Sequence, residues 1–172
     1  ITRWKGQDDF LVLLKKIIVN KPNVHGLIVG EERKKSRFLN ELKKTTAKLG
    51  LNKDITFVGH RTDVKEVISI SSIVFSLAKE PEAFGRISLE SLSMGIPVIA
   101  YSHGGVEEQL KKLLPEGLIN VGKIDDAINL TIKWFGEPPK IKQNNFFTLE
   151  KMLQNTLHVY KKTIEEKRDH AL

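Results

Sequence analysis

Short apolar runs alternate with amphipathic helical patterns along most of this chain, and that alternation limits its fold more than any other feature. The runs are nearly continuous in apolar residues, which is typical of strands buried on both faces of a parallel sheet. Between them, apolar residues recur every three or four positions, the spacing of an amphipathic helix. The pattern predicts an α/β fold with a doubly wound, mostly parallel Rossmann-like sheet and helices on both faces. The predicted strands cover residues 24–29, 55–58, 73–77, 97–101 and 117–121, and the predicted helices cover residues 8–18, 38–49, 63–70, 85–94, 107–114 and 125–134.

The 172 residues suit one domain of ordinary size. Residues 1–137 carry the alternating pattern and are predicted to form the Rossmann-like domain. Pro138-Pro139 and the polar residues after them indicate a linker over 138–147. Residues 148–172 show the spacing of an amphipathic helix, which we expect to pack on this domain or on another one. Asp8 and Asp9 stand where a signal peptide would become apolar, so no signal peptide is expected at this start. Since the chain also begins without methionine, we expect a piece of a longer protein.

Composition excludes several classes of protein. The chain has no cysteine, which excludes disulfide scaffolds, thiolate zinc sites and cysteine nucleophiles. No apolar run approaches the ~18 residues of a membrane-spanning helix. The formal charge of +7 favours anionic partners, but the basic residues are scattered without interleaved aromatics, which argues against nucleic acid. We expect a cytoplasmic protein, with peripheral contact at the inner face of an anionic membrane left open. The five histidines show no metal-ligand spacing, so no metal site is expected.

The loops that follow the predicted strands are the expected location of a binding site. In doubly wound sheets, ligands bind outside the carboxyl ends of the strands, which here places the site near Gly30, Gly59, Leu77 and Tyr101. The loop after the third strand leads into a helix that opens near Gly85. The first amides of a helix lack backbone partners and carry partial positive charge, so this helix start is suited to holding a phosphate group.

Two carboxylates flank that helix start. Glu82 lies in the loop before the helix, and Glu90 lies about five residues inside it, roughly 7 Å further along the axis. Such a pair can accept hydrogen bonds from two separate hydroxyl-bearing parts of one ligand. The spacing alone fits equally well a helix with an acidic first turn and a solvated glutamate further along it.

The Glu82-x7-Glu90 spacing lies within residues 80–100, a stretch that resembles the signature of family 4 (group 1) retaining glycosyltransferases. The resemblance continues, in the family's order, through residues 3–7, 55–64 and 103–108. It implies a GT-B enzyme, which is built from two Rossmann-like domains, the second of which holds the donor sugar nucleotide. The chain resembles that second domain alone.

The resemblance also implies roles for single residues. Lys5 matches the lysine that neutralises the donor diphosphate, and Glu82 matches the glutamate that contacts the donor sugar near the reacting carbon. Glu90 matches the glutamate that binds the ribose hydroxyls. The sugar nucleotide is the substrate, so no cofactor is implied, and no Asp-x-Asp triplet is present to support a metal-bridged donor site. The other donor-binding residues implied are Phe84, Gly85 and Arg86 at the turn, Gly59 and His60 beside the base, and Gly30, His103, Gly104 and Gly105.

The implied function is that of the donor-binding half of a metal-independent retaining glycosyltransferase. It would transfer a sugar from a nucleotide-diphosphate sugar to an acceptor such as a glycan or lipid-linked saccharide of the cell envelope. Without the missing N-terminal acceptor domain, the isolated chain is expected to be inactive. Two alternatives stay open: a non-catalytic binding relic of a truncated gene, or half of another GT-B enzyme such as a sugar-nucleotide epimerase. The sequence departs from the family pattern in the turn at 30–32, which lacks its second glycine, and in residues 111–117.

Overall fold

A computed structural model describes residues 1–31 and 36–169, with side chains of the last helix up to Glu166. Glu32, in the turn at 30–32, and residues 170–172 of the predicted terminal helix lie outside the described residues. The chain divides into two compact units, Ile1–Lys142 and Gln143–Leu172. This division falls inside the predicted linker, but the domain bounds stay a prediction.

The first unit contains parallel strands arranged in two sheets. One sheet pairs the first two strands, and the other has the order third, fourth, fifth. The pairings run parallel throughout, which confirms the predicted α/β class. The strands are β1 Gly26–Val29, β2 Ile55–Gly59, β3 Val74–Ser76, β4 Val98–Tyr101 and β5 Leu118–Ile119.

The sequence pattern predicts one sheet, but the structure has two: among the described residues, no hydrogen-bonded ladder joins β1 to β3. The Phe10 side chain connects the two strands instead. A Cβ placed on Gly26 of β1 would lie 3.2 Å from the Phe10 ring. The same ring lies 5.5 Å from that of Phe75 in β3. The Phe10 ring thus lies between β1 and β3, where no described backbone ladder joins them.

Helices alternate with the strands as the sequence pattern predicts. The fifth helix begins at Gly104 rather than at the predicted Glu107. The helix begins with Gly104 and Gly105, and since glycine has a low helix propensity, the sequence pattern predicts a later start. A 3-10 turn, Arg3–Lys5, precedes the first helix, and another covers Pro115–Gly117. The helices are α1 Gln7–Asn20, α2 Arg37–Lys48, α3 Val64–Ser69, α4 Arg86–Ser93, α5 Gly104–Leu113, α6 Ile124–Gly136 and α7 Leu149–Asp169.

Two groups of buried side chains hold these elements in place. One cluster joins Leu11 and Leu14 of α1 to Leu42 of α2 and to Ile28 and Ile55 of the first sheet. The other surrounds β4, whose four residues are all buried. Burying one such aliphatic side chain contributes about 1.5–3 kcal/mol, so these clusters fix the strand ends from which the candidate site is built.

The second unit contains α7, a helix of 21 residues. Its first turn is capped by Thr148, whose Oγ1 accepts a hydrogen bond from the Lys151 backbone amide at 3.3 Å. The apolar side chains along α7, from Leu149 to Ile164, are exposed. No described helix combines the length and the apolar character that crossing a membrane requires.

Candidate active site

The loop between β3 and α4 is the centre of the candidate site. Gly85 ends this loop as the N-cap of α4, with a left-handed φ of 78°. A Cβ at this position would collide with the side chain of Val106 on α5. Both the backbone conformation and the lack of space therefore require glycine. The first amides of α4 have no helical partners, so this turn can bind an anion.

An ion pair joins this loop to the start of the chain. The Nζ of Lys5 lies 2.8 Å from Oε1 of Glu82, and the two side chains are 38% and 20% exposed. The Lys5 ammonium also lies 4.2 Å from the centre of the Trp4 ring, a cation–π contact. The structure brings together the two residues that the sequence predicted as catalytic, although they are far apart in the chain.

Backbone contacts fix the position of the segment that carries Lys5. The carbonyl of Trp4 accepts a hydrogen bond from the Lys79 amide at 2.6 Å. Gly6, with φ of 71°, lies so close to the Leu77 carbonyl that a Cβ would collide with it. The 3-10 turn before α1 is thereby held against the loop that follows β3.

Lys79, whose amide makes this contact, also belongs to a cluster of charged and polar side chains. The Nζ of Lys79 lies 2.7 Å from Oδ2 of Asp8 and 3.1 Å from Oδ1 of Asp9, both in the first turn of α1. The hydroxyl of Tyr101, at the end of β4, donates to Oδ2 of Asp9 at 2.7 Å. The cluster therefore connects α1 with the ends of β3 and β4.

These contacts change how two of its members titrate. Burial lowers the pKa of Lys79, but hydrogen bonds and charge from Asp8 and Asp9 outweigh burial and raise it overall. Burial, the hydrogen bond to Asp9 and the charge of Asp9 all raise the pKa of Tyr101. Tyr101 thus stays a neutral donor at ordinary pH, which suits a positioning group rather than a general acid or base.

The start of α5 holds the backbone of the site loop. The amide of Gly105 donates to the Glu82 carbonyl at 2.8 Å. The buried side chain of Gln109 donates through Nε2 to the Phe84 carbonyl. A Cβ on Gly104 would lie 2.6 Å from the Glu82 carbonyl oxygen, so α5 approaches this closely only because its first residues are glycines.

The second carboxylate of the motif lies in a more open setting. Oε1 of Glu90 is 3.4 Å from an Nη of Arg86, one helical turn away on α4, and the side chains are 33% and 83% exposed. Phe84 is also exposed, before the helix start. Glu90 and Arg86 thus pair with each other, and Lys5 pairs with Glu82.

The remaining predicted residues lie at other strand ends. Nε2 of His103 is 2.7 Å from the Ala78 carbonyl, and since a carbonyl only accepts, this nitrogen carries hydrogen. The Gly30 amide donates to the Gly59 carbonyl at 2.9 Å, which places the ends of β1 and β2 side by side. His60 is exposed in the loop that follows.

Arg61, which follows His60, forms an ion pair within its own loop. Its Nε donates to Oδ1 of Asp63 at 2.7 Å. The hydrogen bond from Arg61 lowers the pKa of Asp63. Arg61 is thus an exposed arginine that pairs within its own loop.

A cleft of about 1070 Å³ connects part of these residues. It is lined by Lys5, Gly30, His60, Glu82 and Gly85, and it continues between β1 and β3. Part of this volume lies in the gap between β1 and β3, which is lined as far as Pro22 and Ser72 at the other ends of the strands, so the total exceeds the space at the candidate site. The predicted residues that do not line this cleft are Glu90, Phe84, Arg86, Gly59, His103, Gly104 and Gly105.

Sequence reasoning missed the residues that position the site. Lys79 contacts Asp8 over 71 positions of sequence, and Tyr101 contacts Asp9 over 92. Gln109 reaches Phe84 over 25 positions. No motif or periodicity marks these residues, because their contacts arise from the packing of elements that are distant along the chain.

Comparison with known proteins gives one family. Residues 1–147 match the model for glycosyl transferases group 1. The lipopolysaccharide core biosynthesis mannosyltransferase LpsB of Rhizobium meliloti is 30% identical over 109 residues, which is 63% of this chain and 31% of the relative. A GDP-mannose-dependent monoacylated alpha-(1-6)-phosphatidylinositol monomannoside mannosyltransferase of Corynebacterium glutamicum is 26% identical over 144 residues, which is 78% of this chain and 35% of the relative.

Among solved structures, Anabaena HepE in complex with UDP and glucose is similar, with a TM-score of 0.73 and 25% identity. The match covers 80% of this chain and 37% of that structure. The chain spans about a third of the length of the two curated relatives, whose matched shares are 31% and 35%.

Proposed function

Since this chain belongs to the group 1 glycosyltransferase family, we propose that it binds a nucleotide-diphosphate sugar as the donor domain of a retaining glycosyltransferase. The observation that carries the proposal is the Lys5–Glu82 pair, 2.8 Å apart, in a cleft beside the first amides of α4. A cation and a carboxylate at that place match the two halves of such a donor, an anionic diphosphate and a sugar rich in hydroxyls.

Lys5 and the start of α4 are assigned to the diphosphate. Negative charge grows on the diphosphate as it leaves the sugar. Fixed cations and amide dipoles aimed at that charge lower the barrier, without a metal ion being needed. The left-handed Gly85 and the turn at Phe84 and Arg86 let the backbone approach the phosphates closely.

Glu82 and Glu90 are assigned to hydroxyl groups of the donor. Glu82 accepts hydrogen bonds from the sugar near the reacting carbon, and Glu90 accepts from the ribose. The exposed ion pair between Glu90 and Arg86 is weak enough to exchange for such a bond. Gly30, Gly59 and His60 are assigned to the base, and His103, Gly104 and Gly105 to the wall behind the sugar.

Retention of configuration is assigned to attack from the front face. The acceptor oxygen bonds to the anomeric carbon on the face from which the diphosphate leaves, and a leaving phosphate oxygen takes the acceptor's proton. Glu82 is not assigned as a nucleophile, because front-face attack needs no covalent intermediate and a covalent role would require a carboxylate close to the anomeric carbon. The acceptor, a glycan or lipid-linked saccharide, would be positioned by an N-terminal acceptor domain, a proposal supported by the greater length of the relatives.

Calorimetric titration with UDP, GDP, ADP, UDP-glucose and GDP-mannose tests the proposal. The panel includes UDP and UDP-glucose, each of which is named for a HepE complex, and GDP-mannose, which is named for the Corynebacterium relative. We expect one nucleotide to bind with a dissociation constant of about 1 mM or tighter. Glu90→Gln should remove that binding, whereas Glu137→Gln, at an exposed position after α6, should not. Absence of binding by every member of the panel would reject a donor site in this chain and favour the non-catalytic alternative.

A further inference from the structure

The proposed donor would bind Lys5 through its diphosphate and Glu82 through its sugar, but in this structure the two side chains pair with each other. A phosphate oxygen bonded to Lys5 at a similar distance would lie within about 5.6 Å of the Glu82 carboxylate, twice the observed 2.8 Å. Two anions that share one ammonium repel each other. The Glu82 side chain is 20% exposed, so solvent screens this repulsion incompletely.

The backbone on each side of this ion pair is held in place. The Glu82 carbonyl is held by the Gly105 amide at 2.8 Å, and the Lys5 segment is held by the Lys79 amide on the Trp4 carbonyl at 2.6 Å. A diphosphate that binds Lys5 must therefore do so in front of a carboxylate whose backbone is fixed.

A donor and its product differ in how they meet this carboxylate. The sugar of a donor presents hydroxyl groups that donate hydrogen bonds to Glu82. These bonds compensate Glu82 for the weakening of its ion pair with Lys5 when the diphosphate binds the lysine. A nucleoside diphosphate has lost the sugar and offers no such donor. We propose that Glu82 is a specificity-determining residue, which makes the site prefer the sugar-bearing donor over the diphosphate product by competing with the diphosphate for Lys5.

This competition deepens the proposed function and rests on it. It favours release of the product, because Glu82 recovers Lys5 when the sugar has been transferred. Glu90 has no comparable effect, since its partner Arg86 is 83% exposed and the pair is screened by water.

Inorganic pyrophosphate is the first probe, because it tests Lys5 without requiring knowledge of the base. Calorimetry on the full chain at low salt would compare the parent with Glu82→Gln, which removes the charge and keeps the shape. We expect Glu82→Gln to tighten pyrophosphate binding about tenfold, as expected for removal of a close, partly buried like charge. Glu82→Ala should act in the same direction and serves if Glu82→Gln does not fold.

Two controls separate this effect from a general change of charge. Glu80→Gln removes the same charge two positions away on the same exposed loop, and it should tighten binding less than about twofold. In a Lys5→Met background, Glu82→Gln should lose most of its effect, because the competition requires the lysine. An equal effect of Glu80→Gln, or an effect that survives Lys5→Met, would overturn the proposal.

The second probe uses matched pairs: UDP with UDP-glucose and GDP with GDP-mannose. For the nucleotide that binds, Glu82→Gln should tighten the binding of the diphosphate and weaken the binding of the sugar conjugate, which are changes of opposite sign.

Unchanged or weaker binding of pyrophosphate in Glu82→Gln, or no binding of pyrophosphate in any variant, overturns the competition. If the nucleotide panel still shows binding that depends on Glu90, the proposed function survives that failure. If Glu82→Gln tightens pyrophosphate binding while no nucleotide binds, the proposed function is rejected, although the competition between Glu82 and an anion for Lys5 is not.

Discussion

The loop after β3 and the loop after β2 both line the cleft, but the rest of the fold holds them very differently. The β3 loop is fixed at Glu82 by α5 and at Lys79 by the segment that carries Lys5. At the end of β2, where the second loop begins, a Cβ on Gly59 would meet no atom within 4 Å, and Arg61 pairs with Asp63 within the loop itself. The first arrangement fixes the backbone that carries Lys5 and Glu82, and the second is held by contacts within its own loop.

Gly105→Ala should produce the largest effect, because it separates α5 from the β3 loop. Its Cβ would lie 2.7 Å from the Cα of Phe84 and 2.9 Å from the backbone carbon of Ala83. We expect the free energy of unfolding to fall by about 2 kcal/mol, as is typical of overpacking. Urea denaturation measures it.

The matched change is Gly59→Ala, at the end of β2 where the second loop begins. This position has a left-handed φ of 78° but no close neighbour, so the expected loss is about 1 kcal/mol from the backbone alone. A loss at Gly59 equal to or greater than that at Gly105 would contradict the proposed difference between the two loops.

Gln109→Leu tests the other contact between α5 and the β3 loop. The replacement keeps the side chain's approximate volume and removes the hydrogen bond to the Phe84 carbonyl. We expect a loss of about 1 kcal/mol in the free energy of unfolding. Gln154→Leu, the same change on exposed α7, should stay within about 0.5 kcal/mol of the parent. Equal stability of Gln109→Leu and the parent would argue that Gln109 does not hold the loop.

The cluster under the β3 loop should make stability depend on alkaline pH. The pKa values of Lys79 and Tyr101 are both raised in the folded chain. Their contribution is therefore complete below the unfolded pKa values, about 10, and is lost as pH rises above them. Tyr101→Phe should flatten this decline when urea midpoints are measured from pH 8 to 11. Tyr160→Phe, at the chain's other, exposed tyrosine, should leave the slope unchanged, and an unchanged slope in Tyr101→Phe would refute the role of the cluster.

Arg61→Met should have the smallest effect. It breaks the Arg61–Asp63 ion pair, whose side chains are both exposed to solvent, and such pairs contribute little to stability. We expect thermal denaturation to show no measurable change. A loss as large as that of Gln109→Leu would mean that the β2 loop is also fixed to the fold.

The strands and helices could be predicted because each depends on nearby residues. The apolar run that became β4 is buried along its whole length, as its composition indicated. The start of α4 was predicted from Gly85, which adopts the left-handed conformation that glycine favours. The break between β1 and β3 was not predicted, because the position of the Phe10 ring beside Gly26 and Phe75 depends on how α1 packs.

By itself, the sequence determined the α/β class, the order of the elements and the two carboxylates of the motif, because periodicity and spacing are local properties. The tertiary structure decided which of those carboxylates meets a cation: Lys5 pairs with Glu82, and Glu90 pairs with Arg86. It also decided that Lys79, Asp9 and Tyr101 support the site, through contacts that span up to 92 positions. Such contacts depend on the packing of α1, β3 and β4 against one another, and no local pattern in the chain encodes that packing.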